Sequence, residues 1–247
     1  MICERLHYID AKYGEVPYSK VIFLWGKLVI LEDDFFEKSA RKRAETSIEL
    51  AKWGWYPTPY AKVGGNLRKL QQQNDINTFF MKRNRECLDE NKQYCLQHAK
   101  ERTGVLEAAF RLHHAGEYYG AIPIFLAQAE GVFNEEFKRS IFNNKSRSYE
   151  KINEIRKFDE GVFFDAFLSS TFVKNQIGAD KSICSDAQKQ RGPNRNGIMH
   201  GDVRHVDYGS EINSLKSISL LGCAIWLSTL NSETQLICTI NNGDQVK

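Results

Sequence analysis

The periodicity of residues 117–137 constrains the fold of this chain more than any other feature. Ile122, Phe125, Leu126, Ala129, Phe133 and Phe137 fall at the i, i+3, i+4 and i+7 spacings of a helix that buries one face. Such a stripe has to be covered by other elements, and its neighbours read the same way. Val105 to His114 predicts a helix through Leu106, Ala109, Phe110 and Leu112, closed by Ala115-Gly116, and Ile76 to about Arg102 is strongly helical in composition. A last run, from a cap at Ser210 to about Leu230, is apolar nearly all round and predicts a buried helix. Pro123 lacks the N–H a helix interior needs, so it is expected in the first turn of its helix.

No stretch alternates strongly enough to support a sheet of any size. The expected fold class is therefore all-α, with an additional N-terminal helical region of unknown role over residues 1–98 and a helical bundle over 99–247. Ser19 to about Ala51 predicts one long helix, or two with a break near Gly26 or Asp33. Trp53-Gly-Trp-Tyr-Pro-Thr-Pro-Tyr60 stops it, because two prolines two apart do not fit a helix interior. Its aromatics suit a connector packed on the helices, or a ligand platform. Asn66 to Gln73 predicts a short helix and Phe158 to Val173 a core helix. Lys174 to Gly192 reads as a polar connector and Thr234 to Ile240 as a short edge strand.

Charge excludes a bulk polycation: 34 Lys and Arg against 31 Asp and Glu give a net charge of only +3. A nucleic-acid role would have to come from a local basic site. Lys138, Arg139, Lys145 and Arg147, with Phe142 and Tyr149 among them, form one candidate RNA-tracking surface, and Arg204 adds a further positive charge. The same residues also suit a solvated loop. The six cysteines are scattered without C-x-x-C pairs, which favours reduced thiols. A zinc site at Cys87, Cys95 and His98 would lack a fourth ligand. The start of the chain carries no secretory pattern, and the longest apolar run contains Lys216 and several serines. A cytoplasmic protein with no membrane segment is expected.

The chemistry concentrates in Arg191-Gly-Pro-Asn-Arg-Asn-Gly-Ile-Met-His-Gly201. Cutting a phosphodiester needs a group that moves a proton near neutrality and a fixed positive charge for the phosphate; histidine and arginine supply these. Pro193 and Asn194 predict a helix starting at Arg195, its free N–H groups near the phosphate. In a straight helix Arg195 and His200 point about 140° apart, whereas Asn196 and His200 share a face. Glu130 lies about 80° from Ile122, at the edge of the apolar stripe of its helix. It is there a candidate partner for a half-buried arginine, or a plain surface glutamate. A rival reading uses His200, Asp202, His205 and Asp207 as metal ligands, though Arg204 among them would repel a cation. Adjacent His113 and His114 point about 100° apart and converge poorly.

The run Asn194-Arg195-Asn196-Gly197-Ile198-Met199-His200-Gly201, followed by Asp207-Tyr208-Gly209 and a long apolar helix, resembles the R-x4-6-H motif region of the HEPN superfamily. Val105 to Phe110, Gly116 to Tyr119 and Ala121 to Gly131 are similar to the two preceding helices of its abortive-infection members. Together the blocks span roughly residues 99 to 232. The resemblance implies a helical bundle that dimerises across its motif helices to form a metal-independent endoribonuclease needing no cofactor, in phage defence or a toxin system. Arg195 and His200 match the two ends of the motif, Asn196 the polar position after the arginine, and Glu130 an acidic position that orients it. The implied partners are RNA, with tRNA and mRNA as the candidate classes, a second copy of the chain, and a regulatory or antitoxin protein. A non-catalytic nucleotide- or protein-binding module is the alternative. Members modified by nucleotide transfer carry a tyrosine two residues after the histidine; that position here is Asp202, which speaks against such regulation.

Overall fold

The computed structural model describes residues 21–24, 27–30, 46–47, 49–61, 73–138, 141–142 and 177–243, with side chains from 46 to 229 within these ranges. The expected helices over 66–73 and 158–173 lie wholly or mostly outside them. The described chain is mostly helical. Its elements are β1 (Val21–Leu24), β2 (Lys27–Ile30), α1 (Gln73–Glu86), α2 (Leu88–His98), a 3-10 turn (Lys100–Arg102), α3 (Thr103–His114), α4 (Tyr118–Phe137), α5 (Asp186–Lys189), α6 (Arg195–Met199), a second 3-10 turn (Val203–His205) and α7 (Glu211–Gly243).

At the start of the helix or helices expected over Ser19 to Ala51, residues 21–24 and 27–30 form an antiparallel pair instead, with Val21 opposite Ile30 and Leu24 opposite Lys27, while 46–47 and 49–52 are helical. Val21, Ile22, Val29 and Ile30 are β-branched, and only two residues, the second a glycine, separate the strands. That is a hairpin pattern which the apolar run masks. The stretch from Ile76 to Arg102 is likewise not one helix. It breaks at Cys87, where the Asn84 amide bonds back to the Phe80 carbonyl at 2.9 Å and the Cys87 thiol to the Arg83 carbonyl at 3.1 Å.

α4 buries all six residues of its predicted stripe, together with Ala121 and Val132. Pro123 lies in its second turn rather than its first. The Tyr119 carbonyl, which would otherwise accept the missing N–H, accepts the Tyr208 hydroxyl at 3.0 Å. α3 buries Leu106, Ala109, Phe110 and His113, and ends where Gly116 turns the chain at φ +76°. α7 buries every residue from Ser214 to Ile225. It continues through the expected edge strand to Gly243, since an established helix adds a hydrogen bond for each further residue whatever its β-propensity.

One core holds these pieces together. Leu50, Trp55, Tyr56 and Phe80, all before residue 98, belong to the same cluster as Phe110, Phe125 and Leu221. The aromatic connector packs into it: Trp55 stacks on Phe80 and donates its indole N–H to Asn77 at 3.0 Å, and the Tyr56 amide donates to the Ser219 hydroxyl at 3.3 Å. Among the described residues no helix is long and apolar enough to cross a membrane.

Candidate active site

The motif is built on backbone carbonyls of the segment just before it. Ile177 accepts the Arg195 amide at 2.8 Å, and Ala179 accepts the side-chain amides of Asn194 and Asn196 at 3.3 and 3.0 Å. The Asp180 carbonyl takes Asn194 as well, at 3.2 Å. Asn194 caps α6 as expected, its side-chain oxygen accepting the Gly197 amide at 2.8 Å. Nothing in a row of carbonyls distinguishes residues 177–181 in sequence, so a segment read as polar connector turns out to be the frame of the site.

Arg195 reaches across to α4. Its Nη2 donates to Glu130 Oε2 at 2.5 Å, its Nη1 to Asn196 Oδ1 at 3.1 Å, and its guanidinium carbon sits 5.3 Å from the Phe142 ring centre. The Arg195 and Glu130 side chains are about one-fifth exposed (23% and 21%), enough desolvation to make the pair a firm tie. Arg195 Nε is buried with no acceptor among the described residues, so the guanidinium is held but not saturated. Asn196, expected on the same helix face as His200, is tied to it by the His200 amide, which donates to the Asn196 carbonyl one turn earlier. Both ends of the Asn196 side-chain amide are taken, by Arg195 and by the Ala179 carbonyl.

His200 follows the last turn of α6, its amide bonded to the Asn196 carbonyl at 3.2 Å. Its imidazole is exposed and has no hydrogen bond or ion pair among the described residues. Gly201 then turns the chain at φ +63°, a conformation glycine adopts without strain. Gly197 is needed for a different reason: a Cβ there would lie 2.1 Å from Cδ2 of His205. His205 is buried against it with Nε2 2.8 Å from the Lys181 carbonyl; a carbonyl only accepts, so Nε2 carries the proton.

Of the four residues of the metal reading, Asp202, His205 and Asp207 are engaged elsewhere. Asp202 takes Arg204 Nε and Nη2 at 2.9 and 2.6 Å, hydrogen bonds that hold its carboxyl well below the usual range. Asp207 pairs with Lys189 at 2.8 Å and is also lowered, by that bond first. Among the described residues no three His, Cys, Asp or Glu side chains converge as metal ligands. His113 is buried with Nδ1 2.8 Å from the Ser214 hydroxyl. Burial, then the neighbouring His114, push its pKa down to about 4. Cys95 is fully buried, while His98 is exposed.

Of the expected RNA-binding residues, Arg139, Lys145 and Arg147 lie outside the described residues. Lys138 caps α4 in the left-handed region (φ 55°) and bonds the Glu135 carbonyl at 2.7 Å, and the Arg204 charge is matched by Asp202. A cavity of about 440 Å³ lies beside the motif loop, between Asn77, Lys189, Pro193, Asp207 and Asn213; neither Arg195 nor His200 lines it. Beneath the same loop Lys216, on α7, is fully buried. Its ammonium donates to the Gln190 carbonyl at 3.0 Å and lies 5.5 Å from the Trp55 ring centre, and burial pushes its pKa down to about 7.

Fold and site define a mostly helical protein in which a half-buried arginine–glutamate pair opens a short helix and an exposed histidine follows it. No protein-family model, curated protein or solved structure matches the chain.

Proposed function

We propose that the chain is a metal-independent endoribonuclease of HEPN type. The observation that carries this reading is Arg195 braced by Glu130, Asn196 and Phe142 five residues before an exposed His200 with no side-chain partner among the described residues. His200 removes the proton of a ribose 2′-hydroxyl, the 2′ oxygen bonds to the adjacent phosphorus, and the bond to the 5′ oxygen breaks, that oxygen taking a proton from water. Arg195 offsets the charge growing on the phosphoryl oxygens. The products are a 2′,3′-cyclic phosphate and a 5′-hydroxyl, so the reaction is confined to RNA.

Met199, Val203 and Val206 bracket His200 and are 44, 77 and 58% exposed. Three apolar side chains so placed support a second copy docking here, with the two motifs facing each other. A bound regulator would restrain such an enzyme inside its host, in keeping with a defence or toxin role. Incubation of the protein with tRNA should yield discrete fragments ending in cyclic phosphate, and one 2′-deoxy substitution at the cut site should block that cut. Cutting that ignores the 2′-deoxy substitution would overturn the mechanism. The prior pairing of Arg195 with Glu130 favours a second reading, a non-catalytic nucleotide- or protein-binding module in which the motif is structural, which predicts no RNA fragments.

A further inference from the structure

Four cationic side chains other than histidine lie between residues 189 and 204, and three have a carboxylate: Lys189 has Asp207, Arg195 has Glu130 and Arg204 has Asp202. The fourth, Arg191, has none among the described residues. Its guanidinium carbon lies 5.2 Å from the Trp53 ring centre, and its Nε is buried with no acceptor.

The surroundings fix this arginine in place. Gly54, at φ +77°, lets the Trp53 turn come so close that a Cβ on Gly54 would lie 2.2 Å from the Arg191 carbonyl oxygen. Lys216 supports the same turn from below, its Cδ 3.1 Å from that Cβ position, and ties the preceding Gln190 carbonyl. The backbone of Arg191 and the ring under its side chain are therefore both held before any ligand arrives. A guanidinium over an indole, on a partly buried residue and with no carboxylate partner among the described residues, offers a fork of donors to one phosphate. Three residues of chain separate it from Arg195, a backbone span of at most ~14 Å over four steps.

We infer that Arg191, mounted on Trp53, is a second RNA contact that grips a phosphate flanking the one at Arg195. The inference rests on the ribonuclease reading and assigns substrate binding, not chemistry, to Arg191. Charge decides for RNA: a single-stranded RNA carries a phosphate at every step, and the other three cations of the loop are already matched.

The test uses a labelled single-stranded RNA of mixed sequence bound to the full chain in the His200→Ala background, followed by anisotropy over a range of salt. Arg191→Gln should weaken binding roughly ten-fold and reduce the slope of log K against log salt by about 0.7, the share of one phosphate on a single strand. In the cleaving protein the same change should raise KM and leave kcat unaltered. Unchanged affinity and slope overturn the inference while leaving the ribonuclease reading intact; a fall in kcat at constant KM also overturns it. If the His200→Ala protein binds no RNA at all, both readings fail. Should Arg191→Gln melt early, Arg191→Lys decides: it keeps the charge without the fork, so the salt slope should persist while affinity drops. A normal slope and affinity in Arg191→Lys would leave no part for the fork.

Discussion

Replacing Lys216 by methionine keeps the apolar stem and removes the ammonium buried under the Gln190 carbonyl. The lysine pKa is about 10.4 in the unfolded chain, and burial brings it down to about 7 in the folded one. Between those values the unfolded state binds more protons, so the contribution of Lys216 to stability rises with pH through that window and is lowest below pH 7. The full shift corresponds to about 5 kcal/mol, of which about 2 kcal/mol falls between pH 7 and 9. Buried thiols act in the opposite sense at high pH, since Cys95 is pushed up to about 12 and Cys223 is raised as well. Wild type must therefore be compared with Lys216→Met at each pH. Urea unfolding followed by far-ultraviolet dichroism at pH 7 and pH 9 supplies the four values. Wild type should gain about 2 kcal/mol on the variant between the two pH values. A difference that does not change with pH would refute the reasoning, because it would mean the ammonium is solvated or neutralised by a carboxylate.

Two further substitutions probe the motif. Gly197→Ala drives a methyl into the His205 ring and should destabilise the protein by about 2–4 kcal/mol, read as a lower melting temperature; an unshifted melt would mean that His205 moves freely. Glu130→Ala leaves the Arg195 guanidinium without its carboxylate and should destabilise by about 2 kcal/mol. It should also lower kcat more than ten-fold with little change in KM, with partial rescue in Glu130→Gln; a pure rise in KM would contradict a positioning role.

Local patterns were legible where burial and period agree. The stripe of α4, the closure of α3 at Gly116 and the Asn194 cap of α6 could all be read from residue spacing, because each depends on a few neighbours in the chain. The β1–β2 pair was hidden because Val21 to Ile30 is apolar in both halves and shows neither period. The C-terminal third of α7 was hidden because Thr239 and Ile240 favour strands in isolation, while a helix already formed upstream carries them along. Pro123 was misplaced because its tolerance depends on Tyr208, far away in sequence, occupying the vacated Tyr119 carbonyl. At the site, spacing made Glu130 a candidate arginine partner. It did not announce that the Asn196 amide would be held by Arg195 and the Ala179 carbonyl. The carbonyls of 177–181, the placement of Arg191 over Trp53 and buried Lys216 depend on tertiary contacts that no local pattern announces.

The central claim is that His200 abstracts the proton that starts RNA cleavage. Its most direct test is a matched assay of wild type and His200→Ala on the same tRNA, in the presence of EDTA, with binding and melting temperature measured alongside. The account predicts cyclic-phosphate fragments from wild type in EDTA, and none from His200→Ala although it still binds RNA and melts at the wild-type temperature. Cleavage that EDTA abolishes, or that His200→Ala sustains at the wild-type rate, would contradict it.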